Sequence, residues 1–362
     1  MEDDKKKNKP KEVEKIYQKK TPIEHILLRP DTYVGSIEFQ KDKLWVLDKE
    51  TKQLEFREVN YVPGLFKIFD EILVNAADNF QRDNSMSYIR VVIDIDKNII
   101  SVKNNGSGIP VAIHKEYNIY VPELIFGNLL TSSNYDDNDE KITGGRNGYG
   151  AKLTNIFSKK FIIETADSKV GKLYKQTFEK NMSLKHEPKI TDYDKEDYTI
   201  ITFEPDLDKF KMKQLDDDIV SLMTKRVYDM AGVTPAKVKV FINNEKIEVK
   251  NFSTYVDMYL NSKGNDEDEE SSLPKVYEQP HDRWEIAASL SEGQFQQVSY
   301  VNSISTSKGG THVNYVVEKV IIIIVNYFYI IDSRTCPRTH QEKRQKNNNK
   351  TTSNKATYVG IC

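Results

Sequence analysis

The sequence predicts an α+β sandwich with a mixed or largely antiparallel sheet, followed by a smaller second unit. Stretches with strand periodicity and helix periodicity follow one another from Thr21 to about Val249 without a strict βαβ repeat. The length of 362 residues suggests roughly two domains, and 38% hydrophobic residues can supply their cores. Composition changes near Asn251 and again beyond Ile331, which marks the ends of these units.

These changes divide the chain into four segments. Residues 1–20 form a charged N-terminal arm, 21–250 the sandwich domain, 251–319 a partial second domain, and 320–362 an apolar run with a polar tail. The second unit contains an acidic stretch, 264–272, that we interpret as a solvated loop. Residues 332–362 hold seven Lys or Arg and two Asp or Glu, a net charge of 7 − 2 = +5. Because this tail has few apolar residues, we expect it to be disordered.

Composition excludes several classes of protein. A net charge of −2 gives no global signature of a nucleic-acid binder. The two cysteines, Cys336 and Cys362, exclude a disulfide scaffold and a cysteine zinc site, and they fit a reducing compartment. The N-terminus lacks the apolar segment of a signal peptide. The apolar run 320–331 is shorter than the about 20 residues that a membrane helix needs, so we expect no membrane partner.

The first long helix is predicted over Leu65–Asn79. Glu71, Asn75 and Asn79 lie one turn apart on a polar stripe beside Asp78. A solvent-exposed face explains such a stripe, yet Lys and Arg are absent from it. A carboxylate can accept a proton from water, and a carboxamide oxygen can bind Mg²⁺. The apolar face of the same helix consists of Leu65, Ile68, Phe69, Ile72, Leu73 and Ala76.

The remaining elements follow from alternation, turn residues and helical periodicity. Strands are predicted at 89–95, 99–103, 161–165, 172–178, 198–203, 284–290 and 296–302, a helix at 213–231, and a hairpin at 238–242 and 246–249.

Two loops carry small and polar residues after apolar segments. In the first, Asn104 precedes Gly106 and Gly108 directly after a predicted strand. A carboxamide offers both donor and acceptor and suits the amino edge of adenine, although the pattern is also that of an ordinary β-turn. The second loop, 129–135, gathers hydroxyl groups and an amide, and alone it reads as a helix cap or a loop.

A glycine-rich segment follows, with Gly144, Gly145, Gly148 and Gly150 opening a predicted helix that carries Lys152. Glycine permits close backbone approach, and a helix N-terminus presents free N–H groups. The segment therefore predicts an anion cradle, with a flexible turn as the alternative.

Taken in order, these motifs resemble those of the GHKL ATPase superfamily, which includes type II topoisomerases, Hsp90, MutL and histidine kinases. Longer runs resemble the ATPase region of the eukaryotic type II DNA topoisomerase family, and MutL-like or Hsp90-like proteins share only the short motifs. The resemblance covers about 15–319 and implies a Bergerat-type sandwich followed by a partial transducer domain of α/β type. The runs that carry it are 29–36, 62–79, 130–136, 144–152 and 295–313.

The resemblance also implies residue roles. Glu71 would be the general base, Asn75 would hold Mg²⁺, and Asn104, where the superfamily more often has Asp, would contact adenine. Tyr17 in the arm would reach the nucleotide of a partner subunit. The other contacts to ATP would come from Asn79, Ser132, Ser133, Asn134, Gly145, Arg146, Asn147, Gly148, Tyr149, Gly150, Ala151, Lys152 and Thr202.

The function so implied is an ATP-binding and hydrolysing dimerisation gate. It would form a homodimer on ATP binding and act on DNA through a full-length nuclear enzyme. The sequence contains no Gln-Thr-Lys loop, which in the family supplies a lysine to the γ-phosphate, and no recognisable DNA-cleavage domain. An alternative is therefore a non-catalytic ATP-binding dimerisation module, a truncated or decoy isoform.

The resemblance is expected to end at about Lys319. Every valine codon begins with GT, as do most intron donor sites, and Val320 opens the divergent segment. Two explanations remain for 320–362: read-through of an unspliced intron or a truncated gene model, and a genuine short isoform. Sequencing of the spliced transcript distinguishes them.

Overall fold

The computed structural model describes residues 17–129, 131, 144, 148–261, 274–291, 294–335 and 357–361, with only the backbone for 328–335 and 357–361. Two short helices, α1 (Pro22–Leu28) and α2 (Pro30–Tyr33), precede an antiparallel strand pair, β1 (Gln40–Leu47) and β2 (Leu54–Tyr61). Thr21 begins α1 with a capping box shared with Glu24, which satisfies two backbone donors.

The sandwich domain combines one large sheet with helices. In chain order its elements are α3 (Pro63–Arg82), β3 (Tyr88–Asp94), β4 (Ile99–Asn105), α4 (Val121–Gly127), α5 (Gly150–Ile156), β5 (Ser158–Asp167), β6 (Lys172–Glu179), β7 (Leu184–Lys185), β8 (Lys189–Asp192), β9 (Tyr198–Pro205), α6 (Asp217–Val233), β10 (Lys239–Ile242) and β11 (Glu245–Lys246). Within the described residues, the strands are hydrogen-bonded in the order β11-β10-β3-β4-β9-β5-β6-β7, with β8 beside β6. The β10–β3 pair is parallel, whereas the other pairs of this sheet are antiparallel, so the predicted mixed sheet is confirmed.

Helix α3 forms the centre of the core because its apolar face packs on the sheet. Leu65, Ile68, Phe69, Ile72 and Leu73 are buried with alternate residues of the neighbouring strands. The strand residues in this cluster are Ile89, Val91, Ile93, Ile100, Val102, Phe161, Ile163, Ile201 and Phe203.

The observed bounds differ from the predicted ones at several elements, and α6 and the hairpin show the clearest differences. Helix α6 begins at Asp217 and not at 213, because the Asp216 side chain accepts a hydrogen bond from Ile219 N and caps the helix there. The predicted second strand of the hairpin, 246–249, is reduced to β11, which pairs with β10 at only two positions.

The C-terminal unit is built around a second sheet. Its elements are α7 (Phe252–Leu260), β12 (Lys275–His281), β13 (Trp284–Leu290), β14 (Gln296–Val301), β15 (Ile304–Ser305), α8 (Thr311–Thr335) and β16 (Thr357–Ile361). Within the described residues the strand order of the sheet is β12-β13-β16-β14-β15. The predicted boundary near residue 250 falls between β11 and α7, and the division into domains stays a prediction.

The structure adds two features to the C-terminal segment. The apolar run lies within α8, whose first turns are anchored where Val313 and Val316 pack near Trp284 and Ile286. The tail was expected to be disordered, and most of it, 336–356, lies outside the described residues, but at its end β16 lies between β13 and β14. Strand pairing on both sides satisfies backbone groups, a source of order that apolar content does not reveal.

The apolar residues of α8 after Val320 remain largely exposed, including Ile321, Ile322, Ile323 and Ile324. None of the helices in the described part of the chain has the length and apolar character needed to cross a membrane.

Candidate functional site

The polar stripe of α3 connects the end of β4 to the start of α5. At its lower end Asn79 Nδ2 donates to the carbonyl oxygen of Asn105, at 3.1 Å. The side chain of Asn104, which is buried, donates to the same carbonyl at 3.0 Å. One turn above Asn79, Asn75 is exposed. The structure thus brings together the predicted adenine contact and the lower part of the stripe.

At the upper end of the stripe, the Glu71 carboxylate lies against the first residue of α5. A Cβ atom at Gly150 would overlap Glu71 Oε2, so only glycine allows this approach. Glu71 Oε1 forms an ion pair with Lys67 Nζ, one turn earlier on α3. The sequence analysis found no Lys or Arg on the stripe, but Lys67 extends it by one turn and adds a cation. The Glu71 side chain keeps 22% of its surface exposed, so it is accessible to a water molecule.

Asp78, the remaining acidic residue of the stripe, has a different environment. It is buried, and its Oδ1 accepts a hydrogen bond of 2.9 Å from the backbone N–H of Gly144. This contact fastens the start of the glycine-rich segment to α3. Asp78 thus acts as an anchor of the loop.

Helix α5 carries the predicted phosphate contacts. Gly148 has φ 64°, a left-handed conformation that favours glycine, and Tyr149 precedes the first turn of α5. Lys152 is buried, and its Nζ donates to the carbonyl oxygens of Thr131, at 2.7 Å, and Gly148, at 2.5 Å. These partners are neutral, and burial lowers the pKa of Lys152 to about 8. Among the described residues these carbonyls are the hydrogen-bond partners of the buried ammonium group, which therefore suits an anion as a counter-charge.

The turn after Asn104 is held by residues that the sequence analysis did not identify. Asp83 Oδ2 accepts from Ser107 N at 2.6 Å, and Thr165 Oγ1 accepts from Ile109 N at 2.9 Å. Hydrogen bonds, first of all from the backbone N–H of Ser85, lower the pKa of Asp83 to about 2. An acidic residue directly after a helix, such as Asp83, could have been predicted from the sequence to bind backbone N–H groups. The role of Thr165 follows only from strand pairing.

The prediction for Thr202 is wrong in its geometry. Strand β4 pairs with β9, and in this register Asn104 of β4 lies opposite Thr199 of β9. Thr202 lies opposite Ser101, which is three residues before Asn104 on β4. Side chains alternate between the two faces of a sheet, so Thr202 lies on the face opposite Asn104. Its hydroxyl lies 3.0 Å from Ser101 Oγ.

Thr199 takes the place predicted for Thr202. It lies on the face of the sheet that carries Asn104, and its hydroxyl is 3.0 Å from Thr165 Oγ1. A pattern of strand alternation alone could not select between the two threonines.

The remaining predicted contacts are not brought together by the described structure. Tyr17 is 78% exposed, and its role stays a prediction. Ala151 is buried in the first turn of α5 and faces the core. Six predicted contacts lie outside the described residues: Ser132, Ser133, Asn134, Gly145, Arg146 and Asn147.

The fold and this arrangement define the class of protein. Residues 60–208 match the family described as histidine kinase-, DNA gyrase B- and HSP90-like ATPases, and residues 251–346 match the DNA gyrase B family. The first match confirms the GHKL sandwich. The second extends beyond Lys319, so the expected end of the similarity does not hold for that family.

Solved structures and curated sequences narrow the class. The crystal structure of the ATPase region of Saccharomyces cerevisiae topoisomerase II matches with a TM-score of 0.85 and 47% identity, covering 97% of this chain and 86% of that one. The chain therefore belongs to the family of type II DNA topoisomerase ATPase regions. It is 61% identical to DNA topoisomerase 2 of Arabidopsis thaliana over 316 residues, covering 87% of this chain and 21% of the relative. DNA topoisomerase 2-alpha of Homo sapiens is 57% identical over 314 residues, covering 87% of this chain and 20% of the relative. The chain thus spans about a fifth of the length of these curated relatives.

Proposed function

We propose that this chain is the ATP-binding and ATP-hydrolysing dimerisation gate of a type II DNA topoisomerase, which controls ATP-driven passage of DNA strands. The observation that carries the proposal is the position of Glu71 against Gly150, where the glycine-rich segment enters α5. A carboxylate at a phosphate-binding helix start has one evident use, which is to act on a water molecule beside the terminal phosphate.

The side chains divide the work of the reaction. Glu71 orients the attacking water and accepts its proton, and the ion pair with Lys67 holds the carboxylate in place. Lys152 and the backbone N–H groups of the glycine segment hold the phosphates. Asn104 binds the adenine amino edge at the other end of the stripe. Catalysis of this kind depends on position and charge more than on covalent chemistry.

Magnesium fits the site through Asn75. In the described part of the chain no group of three or more His, Cys, Asp or Glu residues could hold a metal ion. The exposed carboxamide of Asn75, between Glu71 and Asn79, would be the protein ligand, with the nucleotide phosphates completing the shell. When bound, Mg²⁺ neutralises phosphate charge.

The partners follow from the same proposal. ATP binding closes a homodimer, with the arm that carries Tyr17 reaching the nucleotide of the partner subunit. DNA is bound through the full-length enzyme, and the enzyme works in the nucleus. The homodimer, the binding of DNA and the nuclear location are all expectations that follow from the family function.

One observation favours a second candidate, a non-catalytic ATP-binding dimerisation module. The sequence contains no Gln-Thr-Lys, the loop expected to bring a lysine to the γ-phosphate. Loss of a charged donor from a water-excluded phosphate site can cost about 3–4 kcal/mol of transition-state stabilisation. On this view the chain binds ATP and dimerises with little turnover.

ATP turnover by the purified chain, together with cross-linking in a non-hydrolysable ATP analogue, separates the candidates. Turnover that is lost in Glu71→Ala while the analogue still binds supports the gate. A cross-linked dimer without turnover supports the non-catalytic module. A chain that binds no nucleotide contradicts both.

A further inference from the structure

Four charged side chains are buried together where α3 and α6 meet the C-terminal unit. They are Asp70 of α3 and Lys225, Arg226 and Asp229 of α6. Taking such ions out of water costs several kcal/mol each, and apolar residues of similar volume often stabilise a fold as well or better. Stability alone therefore does not account for the cluster, and its contacts to other elements indicate a further role.

Arg226 connects two parts of the molecule through one guanidinium group. Its Nε donates to Asp70 Oδ1 at 2.7 Å, and its Nη2 donates to the carbonyl oxygen of Ser303 at 2.5 Å. Its Nη1 is buried without a hydrogen-bond partner among the described residues and lies 3.8 Å from Asp229 Oδ2. Helix α3 and the turn between β14 and β15 are thus held by the same planar group.

The turn that Arg226 holds is tight and conformationally unusual. Asn302 and Ser303 have φ of 48° and 64°, which places both in the left-handed region of a two-residue hairpin turn. Serine adopts this region infrequently, and such backbone strain persists only where surrounding contacts enforce it. The hydrogen bond from Arg226 to the Ser303 carbonyl is one of these contacts.

The same turn also touches the glycine-rich segment. A Cβ atom at Gly144 would lie 3.0 Å from both Asn302 O and Ile304 Cδ1. Gly144 in turn donates its N–H to Asp78 of α3 at 2.9 Å. The turn therefore meets the nucleotide site by two routes, through Arg226 and Asp70 to α3, and directly at Gly144.

Tyrosines of the C-terminal unit complete the cluster. Tyr255 donates to Asp229 Oδ1 at 2.5 Å, and its hydroxyl lies 2.7 Å from that of Tyr300. Burial first, and then the charge of Asp229, raise the pKa of Tyr255 well above its ordinary value, so it remains a donor. Lys225 Nζ donates to Asp229 Oδ2 at 3.1 Å.

We propose that Arg226 is a positioning residue for ATP hydrolysis, which makes the placement of Glu71 beside the glycine segment depend on docking of the 302–304 turn. The inference rests on the proposed function, in which Glu71 activates water. Asp70 and Glu71 are consecutive on α3, so a shift of the helix at Asp70 moves the Glu71 carboxylate with it. A misplacement of about 1 Å can cost about 100-fold in rate.

The test is Arg226→Lys, which keeps the charge but cannot hold Asp70 and the Ser303 carbonyl in one plane. We expect turnover to fall at least about tenfold, while the affinity for a non-hydrolysable ATP analogue stays within about threefold. Asp70→Asn, which keeps the shape of the side chain, should change turnover in the same direction.

Arg57→Lys is the matched control. Arg57 Nη1 lies 2.6 Å from Asp218 Oδ1, so this pair joins β2 to the same helix α6 without touching α3. The substitution is chemically identical, and turnover should stay within about twofold of wild type because the pair is partly exposed.

Hydrogen exchange without nucleotide supplies a readout that does not need turnover. In Arg226→Lys the backbone amides of α3 around 70–79 and those of the 302–305 turn should exchange faster together, and in Arg57→Lys neither should change. Equal exchange and equal turnover in the two variants would overturn the inference. So would a loss of turnover matched by an equal loss of analogue affinity.

These outcomes also separate the inference from the proposed function. If the wild-type chain shows no turnover, hydrolysis by this chain is refuted, and exchange in the two variants still decides whether Arg226 links α3 to the turn.

Discussion

The two sides of helix α3 treat their polar groups in opposite ways. Toward α5, Asn75 is exposed, and Glu71 is partly exposed with an ion pair to the half-exposed Lys67. Toward α6, Asp70 is buried and bound by Arg226. Asp70 and Glu71 are consecutive residues and both carry a carboxylate, so their different exposure comes from the surrounding structure and not from their chemistry.

The difference shows which polar groups the fold uses for itself. A buried charge must be satisfied within the chain, and its loss leaves a partner uncompensated. A polar group that keeps access to solvent is available to a ligand, and its loss leaves the fold nearly unchanged. Substitutions on the two sides should therefore have opposite signatures, one in stability and the other in nucleotide chemistry.

The largest effect is expected on the α6 side. Asp229→Ala removes the partner of the buried Lys225, and the free energy of unfolding should fall by about 3–5 kcal/mol. Urea denaturation of the purified chain measures this. Asp217→Ala removes an exposed pair between the same helix and Lys49 of the β1–β2 turn, and the free energy of unfolding should stay nearly unchanged. Similar losses of unfolding free energy in the two variants would contradict the difference between buried and exposed charges.

On the α5 side, Gly150→Ala should reduce turnover by about 10- to 100-fold, because the new methyl group displaces the Glu71 carboxylate. Steady-state ATPase kinetics measures the effect. In the Glu71→Ala background the same substitution should have little further effect, since the displaced group is already absent. Additive losses in the double variant would show that Gly150 acts by another route.

The charge of Lys152 should make analogue binding depend on pH. Its pKa, lowered to about 8 by burial, means that the ammonium charge is present below pH 8 and is lost above it. Affinity should therefore fall by up to about tenfold per pH unit above pH 8. Calorimetric titrations with the analogue between about pH 7 and pH 9.5, a range that brackets the pKa of Lys152, measure the affinity at each pH. Lys152→Arg, which stays charged, should give a flat profile, and a flat wild-type profile would contradict the assignment.

The smallest effect concerns the two faces of the sheet. Thr199→Val should weaken analogue binding by about 0.5–1.5 kcal/mol, the usual contribution of one hydrogen bond, because Thr199 lies on the face of Asn104. Thr202→Val, the same change on the other face, should leave affinity unaltered. Fluorescence titration with a labelled nucleotide compares them, and the reverse order of effects would restore Thr202 to the site.

Much of the fold followed from local pattern. The apolar face of α3, the alternation in β3 and β13, and the glycine-rich entry to α5 are all local signals, and the structure contains each of them. What failed depended on distant partners. Strand β16 lies in a polar tail and is recognisable only from its pairing with β13 and β14.

Periodicity and backbone freedom are properties of short segments, so local patterns predicted the order of motifs, the polar stripe that carries Glu71, and glycine at the start of α5. Tertiary packing was needed to show that Asp70 is buried while Glu71 stays accessible. The Arg226 that binds Asp70 is 156 residues away in sequence. Strand register likewise placed Thr199, and not Thr202, beside Asn104. A one-residue choice of face is set by packing and pairing between distant segments, which no local pattern contains.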